Sequence, residues 1–328
     1  MKRRDFITGL GGAAVVGPIA ARAQDRTMPV MGFLDSRSSL AMTSRLVAFR
    51  QGLKEAGCVE GENVKIEYRW AENKSDELST MAAELVRLRP AVIVTTGGSS
   101  AALAAQAATT TIPVVFLVGE DPTRLGLVTS LTRPSGNLTG INLFANELEP
   151  KRLELLRQLV PHATRVAILV NPVDARNTET TLRDVPAAAR TMGLQSQIYR
   201  ASTTREIADA FTAMGQERPD ALFIGAAAFL NIRNVQLAQL AAFHRLPAAY
   251  SFREAPEVGG LMSYGPNISE AYRQWAVYAG RILKGAKPID LPVMQASKFE
   301  LILNLTTARL LGLSISPGVL ALADEVIE

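Results

Sequence analysis

The chain is poor in the residues that carry most metal and nucleophilic chemistry. Its 328 residues include one cysteine, Cys58, and two histidines, His162 and His244. A single thiol permits no intramolecular disulfide and no cysteine-based metal cluster. Two histidines exclude a His-rich metal site. His162 follows Pro161 just ahead of an apolar run, and His244 stands near an expected helix end before Pro247. Neither falls at the carboxyl end of an expected strand, where a general base would be useful. Gly260 to Gly265, around Ser263, is one residue too long for a nucleophile elbow, and Gly280 to Lys287 misses the register of a phosphate-binding loop. The expectation is a protein without metal, cofactor or catalysis.

Long hydrophobic runs are also lacking. The mild stretch Thr8 to Ala20 is too short and too rich in glycine to span a membrane, which takes about 20 apolar residues. Lys2, Arg3 and Arg4 precede it, and Ala21-Arg22-Ala23 puts small residues where a signal peptidase reads. Residues 1–23 therefore read as an export leader cleaved before Gln24. Arg3-Arg4-Asp5-Phe6-Ile7 resembles a twin-arginine signal, with an ordinary Sec leader as the alternative. No cysteine at the cleavage point means no lipid anchor, so the mature chain is expected free in the periplasm. Gly9 to Ala14 fits a dinucleotide-binding glycine pattern, but no strand precedes it.

A strong excess of one charge is missing as well. The net charge is +4, and the leader's four basic residues, less Asp5, account for three of those charges. The remainder is near neutral, without a basic cluster able to track a phosphate backbone, so no nucleic-acid partner is expected.

What is present is apolar residue content, 48% of the chain, in an alternating plan. The length calls for about two domains. Short apolar runs at Val30–Leu34, Ala91–Thr95 and Pro113–Val118 alternate with amphipathic stretches such as Thr43–Ala56, which Gly57 ends. The theme restarts at Arg165–Val170, Ala221–Ile224 and Ala248–Tyr250, with a helix from about Thr178 to Met192 interrupted by Pro186. Such patterning indicates parallel sheets covered on both faces. The last third fits a chain that crosses between two lobes three times: the strand-like Gly260–Gly265, a helix over Ser269–Leu283, and extended pieces at Pro292–Gln295 and Phe299–Asn304.

Open parallel sheets bind ligands beyond the carboxyl ends of their strands. In the first half those ends offer Ser36, the segment Thr96, Gly97, Gly98, Ser99 and Ser100, and the acids Glu120 and Asp121. In the second half they offer Asn171, Ala226 and Phe229, and Tyr250, with Tyr264 on the crossing strand. Facing sets of this kind would line a cleft between lobes. Glycines followed by a helix start suit a carboxylate, the acids suit an ammonium group, and the aromatics suit a flat side chain. The expected partner is a small organic solute, an amino acid or an aromatic or carboxylate compound.

Blocks along the whole mature chain are similar to a known family. They include Gly32-Phe33-Leu34, Phe49-Arg50-Gln51-Gly52-Leu53, Glu60-Gly61-Glu62-Asn63-Val64 and Tyr68-Arg69-Trp70-Ala71. Pro134 to Gly140, Lys151 to Leu156, Gly260 to Gly265, Gly280 to Gly285 and Ala323 to Ile327 agree too. Together they resemble ABC transporter substrate-binding proteins, relatives of the tryptophan-binding proteins. The resemblance implies a type I periplasmic binding protein, an α/β fold of two Rossmann-like lobes with parallel sheets joined by a three-segment hinge. It implies lobes of residues 28–143 plus 265–298 and 144–264 plus 299–328, a monomer, and delivery of solute to a cognate ABC permease and its ATPase. A ligand sensor that presents solute to a membrane receptor is the alternative. Specificity varies within such families, so the resemblance leaves the solute open.

Overall fold

The computed structural model describes residues 28–328. The expected leader, residues 1–23, lies outside the described residues.

The three apolar runs of the first half become β1 (Val30–Asp35), β3 (Val92–Thr96) and β4 (Val114–Val118), and β2 (Lys65–Trp70) and β5 (Leu138–Asn142) join them. The second half contributes β6 (Arg165–Val170), β7 (Gln195–Arg200), β8 (Ala221–Ile224), β9 (Ala248–Tyr250) and β10 (Met262–Pro266). The tail adds β11 (Met294–Gln295), β12 (Phe299–Asn304) and β13 (Glu325–Ile327). Two sheets result. One is six-stranded in the order β11-β5-β4-β3-β1-β2 and is parallel throughout. The other is seven-stranded in the order β13-β12-β10-β9-β8-β6-β7, with one antiparallel pair, β10 against β12.

Both sheets follow the same winding. The first strand of each half pairs with the second on one side and the third on the other, so each order reverses beside its first strand. Each reversal is a topological switch point, where loops diverge and leave a crevice. In the first lobe it lies between β1 and β3. In the second it lies between β6 and β8.

Continuous burial along the central strands explains their unbroken apolar sequence. Phe33, Val94 and Val115 enter one core layer of the first sheet, and Leu34, Ile93 and Phe116 enter the other. The second sheet is sandwiched likewise, with Ile168 and Phe223 on one face and Leu169 and Leu222 on the other. Each such side chain contributes about 1.5–3 kcal/mol through burial.

The chain passes between the sheets three times: after β5, after β10 and between β11 and β12. After β10 the helix Ile268–Leu283, capped by Asn267 onto the Glu270 N–H, returns to the first lobe. There Trp275 is fully buried and donates to the Val115 carbonyl at 3.0 Å. This helix lies so close to Thr43–Glu55 that a Cβ on Gly52 would fall 2.0 Å from the Arg273 carbonyl oxygen. One element departs from its sequence pattern. Pro186 does not interrupt its helix, which runs unbroken over Ala175–Thr191. A single missing N–H is tolerated because buried Val185 and Ala189 hold the helix on either side of it.

Candidate functional site

The crevice beside β1 is built from Asp35, Ser36 and Arg37. Asp35 is fully buried and accepts from the Arg37 backbone N–H and Nε at 2.9 Å and from Nη2 at 2.8 Å. Arg37 Nη2 also reaches Thr96 Oγ1 at 3.2 Å and the Tyr272 hydroxyl at 2.6 Å. This network locks the Arg37 side chain and makes it part of the wall. The Ser36 hydroxyl donates to the Gly97 carbonyl, tying the two loops of the switch point together.

Gly97 and Gly98 have φ of 87° and 108°, a region that penalises a side chain. A Cβ on Gly97 would fall 2.3 Å from Asp35 Oδ1, so only glycine lets the loop pass. The helix Ser99–Ala108 starts immediately after. The Ser99 hydroxyl donates to Glu120 Oε1 at 2.9 Å.

The second lobe supplies Asn171, Asp174 and Asn177 after β6, and Ala226, Ala228 and Asn231 after β8. Asn171 turns inward to its own loop, accepting from the Val173 N–H at 3.2 Å. Asn231 donates to the Ala226 carbonyl at 3.2 Å, and the Ala226 N–H donates to buried Glu149 at 2.8 Å.

These two walls close on a small cavity of about 40 Å³. Arg37, Arg45, Gly98, Glu120 and Tyr272 line it from one side, and Asp174, Asn177, Ala226 and Phe252 from the other. Leu117, Leu143 and Ile268 give it an apolar portion. Asp174 lies against Gly98, whose added Cβ would stand 3.0 Å from Asp174 Oδ2. Two direct contacts hold the lobes together at the rim. Asn73 Nδ2 donates to the Ser202 carbonyl at 3.0 Å, and Arg45 Nη2 stands 3.4 Å from Glu254 Oε1. Wider grooves of about 570 and 670 Å³ lie elsewhere, one along the crossovers at Pro266, Gln295 and Lys298, the other beside Gly57 and Lys284. Neither lies at a switch point.

The electrostatics of the cavity are unusual. Glu120 and Asp174 are both buried in it, and no Lys, Arg or His among the described residues bonds to either carboxylate. Burial raises the Glu120 pKa, and the charge of Asp174 adds to the effect. Burial raises Asp174 also. Glu147 nearby is pushed up to about 7, chiefly by burial. A cavity with two carboxylates and no bonded cation is arranged to receive a positive group.

Of the residues picked out from sequence, Thr96, Gly97, Gly98, Glu120 and Ala226 line this cavity. Ser36, Ser100, Asn171 and Phe229 line the adjoining recess with Asn73. Ser99 acts behind the surface through Glu120. Three others stand apart. Asp121 turns back on its own loop, accepting from the Thr123 N–H at 2.8 Å and hydroxyl at 2.6 Å. Tyr250 is 2% exposed in the core of the second lobe. Tyr264 packs toward Phe299 on the crossing strand. The strand-end rule missed Arg45 in a helix and Tyr272 on a returning helix, and of the segment Tyr250–Arg253 that it offered past β9 it singled out Tyr250 where Phe252 lines the cavity. It also missed Asp174, although an acid just before a helix is a recognisable N-terminal signal. His244 packs against Phe211 and Phe243. Cys58 is buried, which pushes its thiol pKa up. Among the described residues no cluster of three or more His, Cys, Asp or Glu is placed to hold a metal ion. No helix among them is long and apolar enough to cross a membrane.

Two doubly wound lobes, joined by three crossovers and with facing switch points, define a type I periplasmic-binding fold. The sequence profile of the ABC transporter substrate binding protein family matches residues 31–327, and the chain belongs to that family. A tyrosine-binding protein of Clostridioides difficile is 24% identical over 265 residues, 81% of this chain and 75% of the relative. The structure of an ABC domain in complex with L-Trp from Streptococcus pneumonia aligns with TM-score 0.79 and 26% identity, over 91% of this chain and 99% of the other. A conserved domain protein from Vibrio cholerae aligns with TM-score 0.80 and 24% identity over the same shares.

Proposed function

We propose that this protein is the periplasmic solute carrier of an ABC importer and that its solute is an α-amino acid with an apolar, aromatic side chain. The observation that carries the reading is the convergence of Glu120 and Asp174, one from each lobe, on a buried cavity where neither bonds a basic side chain among the described residues. An ammonium group between them satisfies both charges and draws the lobes shut, because each acid belongs to a different lobe. The apolar residues Leu117, Leu143, Ile268 and Phe252 would meet the side chain, for which the cavity of about 40 Å³ must widen by parting of the lobes. The tyrosine-binding relative and the L-Trp complex support the same solute class.

Closure in this reading moves residues 28–143 plus 265–298 against 144–264 plus 299–328, hinged at the three crossovers. The carrier works as an exported monomer, residues 1–23 serving as its leader, and it hands solute to a permease and ATPase without altering it. The test is a thermal-shift and calorimetric panel of the twenty common amino acids with their decarboxylated amines and deaminated acids. A solute present at 100 times its dissociation constant adds about 2.7 kcal/mol to native-state stability. Aromatic amino acids are expected to give the largest shifts. A protein shifted by deaminated acids as strongly as by amino acids would remove the ammonium site and the reading with it.

A further inference from the structure

Two arginines line the cavity, and they are not equivalent. Arg37 is committed: it bonds to Asp35 through Nε and Nη2, and to Thr96 and Tyr272 through Nη2. Arg45 is equally withdrawn from solvent, at 5% exposure, yet among the described residues its side chain has one polar partner. That partner is Glu254 of the opposite lobe, and the 3.4 Å separation is at the limit of a hydrogen bond. A guanidinium carries five N–H donors, so most of this one's capacity is unspent. It also stands over the faces of two aromatic rings. The guanidinium carbon stands 5.7 Å from the centroid of Phe252 and 5.9 Å from that of Tyr272. Rings from both lobes therefore hold the group at the cavity without using its in-plane donors.

The opposite wall, which sequence alone offered for a carboxylate, is already engaged. The hydroxyls of Ser36, Thr96 and Ser99 bond to Gly97, Tyr272 and Glu120. The helix start at Ser99 has Glu120 and Asp174 beside it. A solute carboxylate placed there would face two carboxylates.

Resting on the amino-acid reading above, we infer that Arg45 is the anion-receiving group of the cleft and takes the solute's carboxylate while Glu120 and Asp174 take its ammonium. Arg45 thereby distinguishes amino acids from amines. Because its present partner, Glu254, comes from the other lobe, the same guanidinium adds to closure once solute arrives.

The experiment compares L-tyrosine with tyramine and L-tryptophan with tryptamine by titration calorimetry, in the full mature protein and in Arg45→Met and Arg45→Lys. Each pair differs only by the carboxylate. The readout is the ratio of amino-acid to amine affinity. In the parent, the amino acid binds more tightly, and Arg45→Met lowers the ratio by about 10- to 100-fold, the range of a charge-assisted pair. Arg45→Lys keeps the charge but not the planar fork, so it lands between the two. It also serves as the second test should the methionine variant fold poorly, which its melting curve reveals. An undiminished ratio in Arg45→Lys and Arg45→Met overturns the assignment while leaving the amino-acid reading intact. A parent protein that binds neither amino acid overturns both.

Discussion

Glu120 and Asp174 reach one buried cavity from opposite lobes, and Asp174 stands against Gly98, where an added Cβ would fall 3.0 Å from its Oδ2. Their like charges oppose closure in the empty protein and favour it when a cation lies between them. Glu120→Gln and Asp174→Asn should each weaken amino-acid binding at least tenfold, since a charge-assisted hydrogen bond contributes roughly 1.5–3 kcal/mol. Either change should also ease closure of the empty protein. The pairing of opposite effects separates this role from simple damage to the fold. Calorimetry reads the first and the radius of gyration without solute reads the second; a variant that loses affinity without becoming more compact would count against the pair.

The same two acids set a pH dependence. In the closed empty form burial and mutual repulsion raise Glu120 to about 7, and burial raises Asp174 to about 6, whereas opening returns both to water and ordinary values of 4.5 and 3.8. Raised acids favour the protonated, closed state. The contribution to closure is therefore complete below the open-form values and is lost as pH rises through the closed-form values. Arg37 and Arg45 also line the cavity, and Glu147, whose pKa is raised in the same direction, lies near Glu120. Scattering from the solute-free protein should show a more compact particle at about pH 5 than at about pH 8. Amino-acid binding at the lower pH should release a proton, because the ammonium replaces it, and affinity should fall accordingly. A proton count of zero in buffers of different ionisation enthalpy would contradict this account.

Asp121→Asn should change amino-acid affinity by less than about twofold, against the expectation from sequence. The carboxylate accepts from the N–H and hydroxyl of Thr123, an Asx-type turn that asparagine reproduces. Glu120 and Asp121 are adjacent in sequence, and nothing local tells which one enters the cleft. The choice is made by Ser99, 21 residues earlier, which bonds to the first of them. A tenfold loss on titration of Asp121→Asn would return this residue to the site.

That pair illustrates what sequence patterning conveys. Parallel strands buried on both faces must be unbroken apolar runs, so β1, β3, β4, β6 and β8 and the loops beyond them are legible. Ser36, Thr96–Ser100, Glu120, Asn171 and Ala226 follow from that alone. Tyr272 reaches the site on a helix that returns after the second crossover, and Arg45 projects from the first turn of a helix. Their approach depends on how the lobes meet, a long-range relationship that no local pattern carries. Tyr250 shows the converse: it occupies a strand end but packs into the second-lobe core, leaving Phe252, after the turn, to face the cavity.

The rim contact offers a kinetic prediction. Asn73 belongs to the first lobe and has positive φ, 66°, a conformation that asparagine adopts more readily than most residues. Its side-chain amide donates to the Ser202 carbonyl of the second lobe at 3.0 Å, and its own N–H is held by the Ser36 carbonyl at 2.6 Å. The contact thus runs from the switch-point loop across the cleft mouth, so parting of the lobes would break it. Asn73→Gly keeps the backbone conformation while removing the bridge, whereas Asn73→Ala adds strain. A neutral hydrogen bond contributes about 0.5–1.5 kcal/mol, so Asn73→Gly should speed solute release about two- to tenfold. The association rate should hardly change, because the bridge forms after solute has entered. Stopped-flow dissociation of a bound aromatic amino acid, followed by intrinsic fluorescence, measures both rates. A change confined to association would mean that Asn73 acts on entry to the cleft and not on its closure.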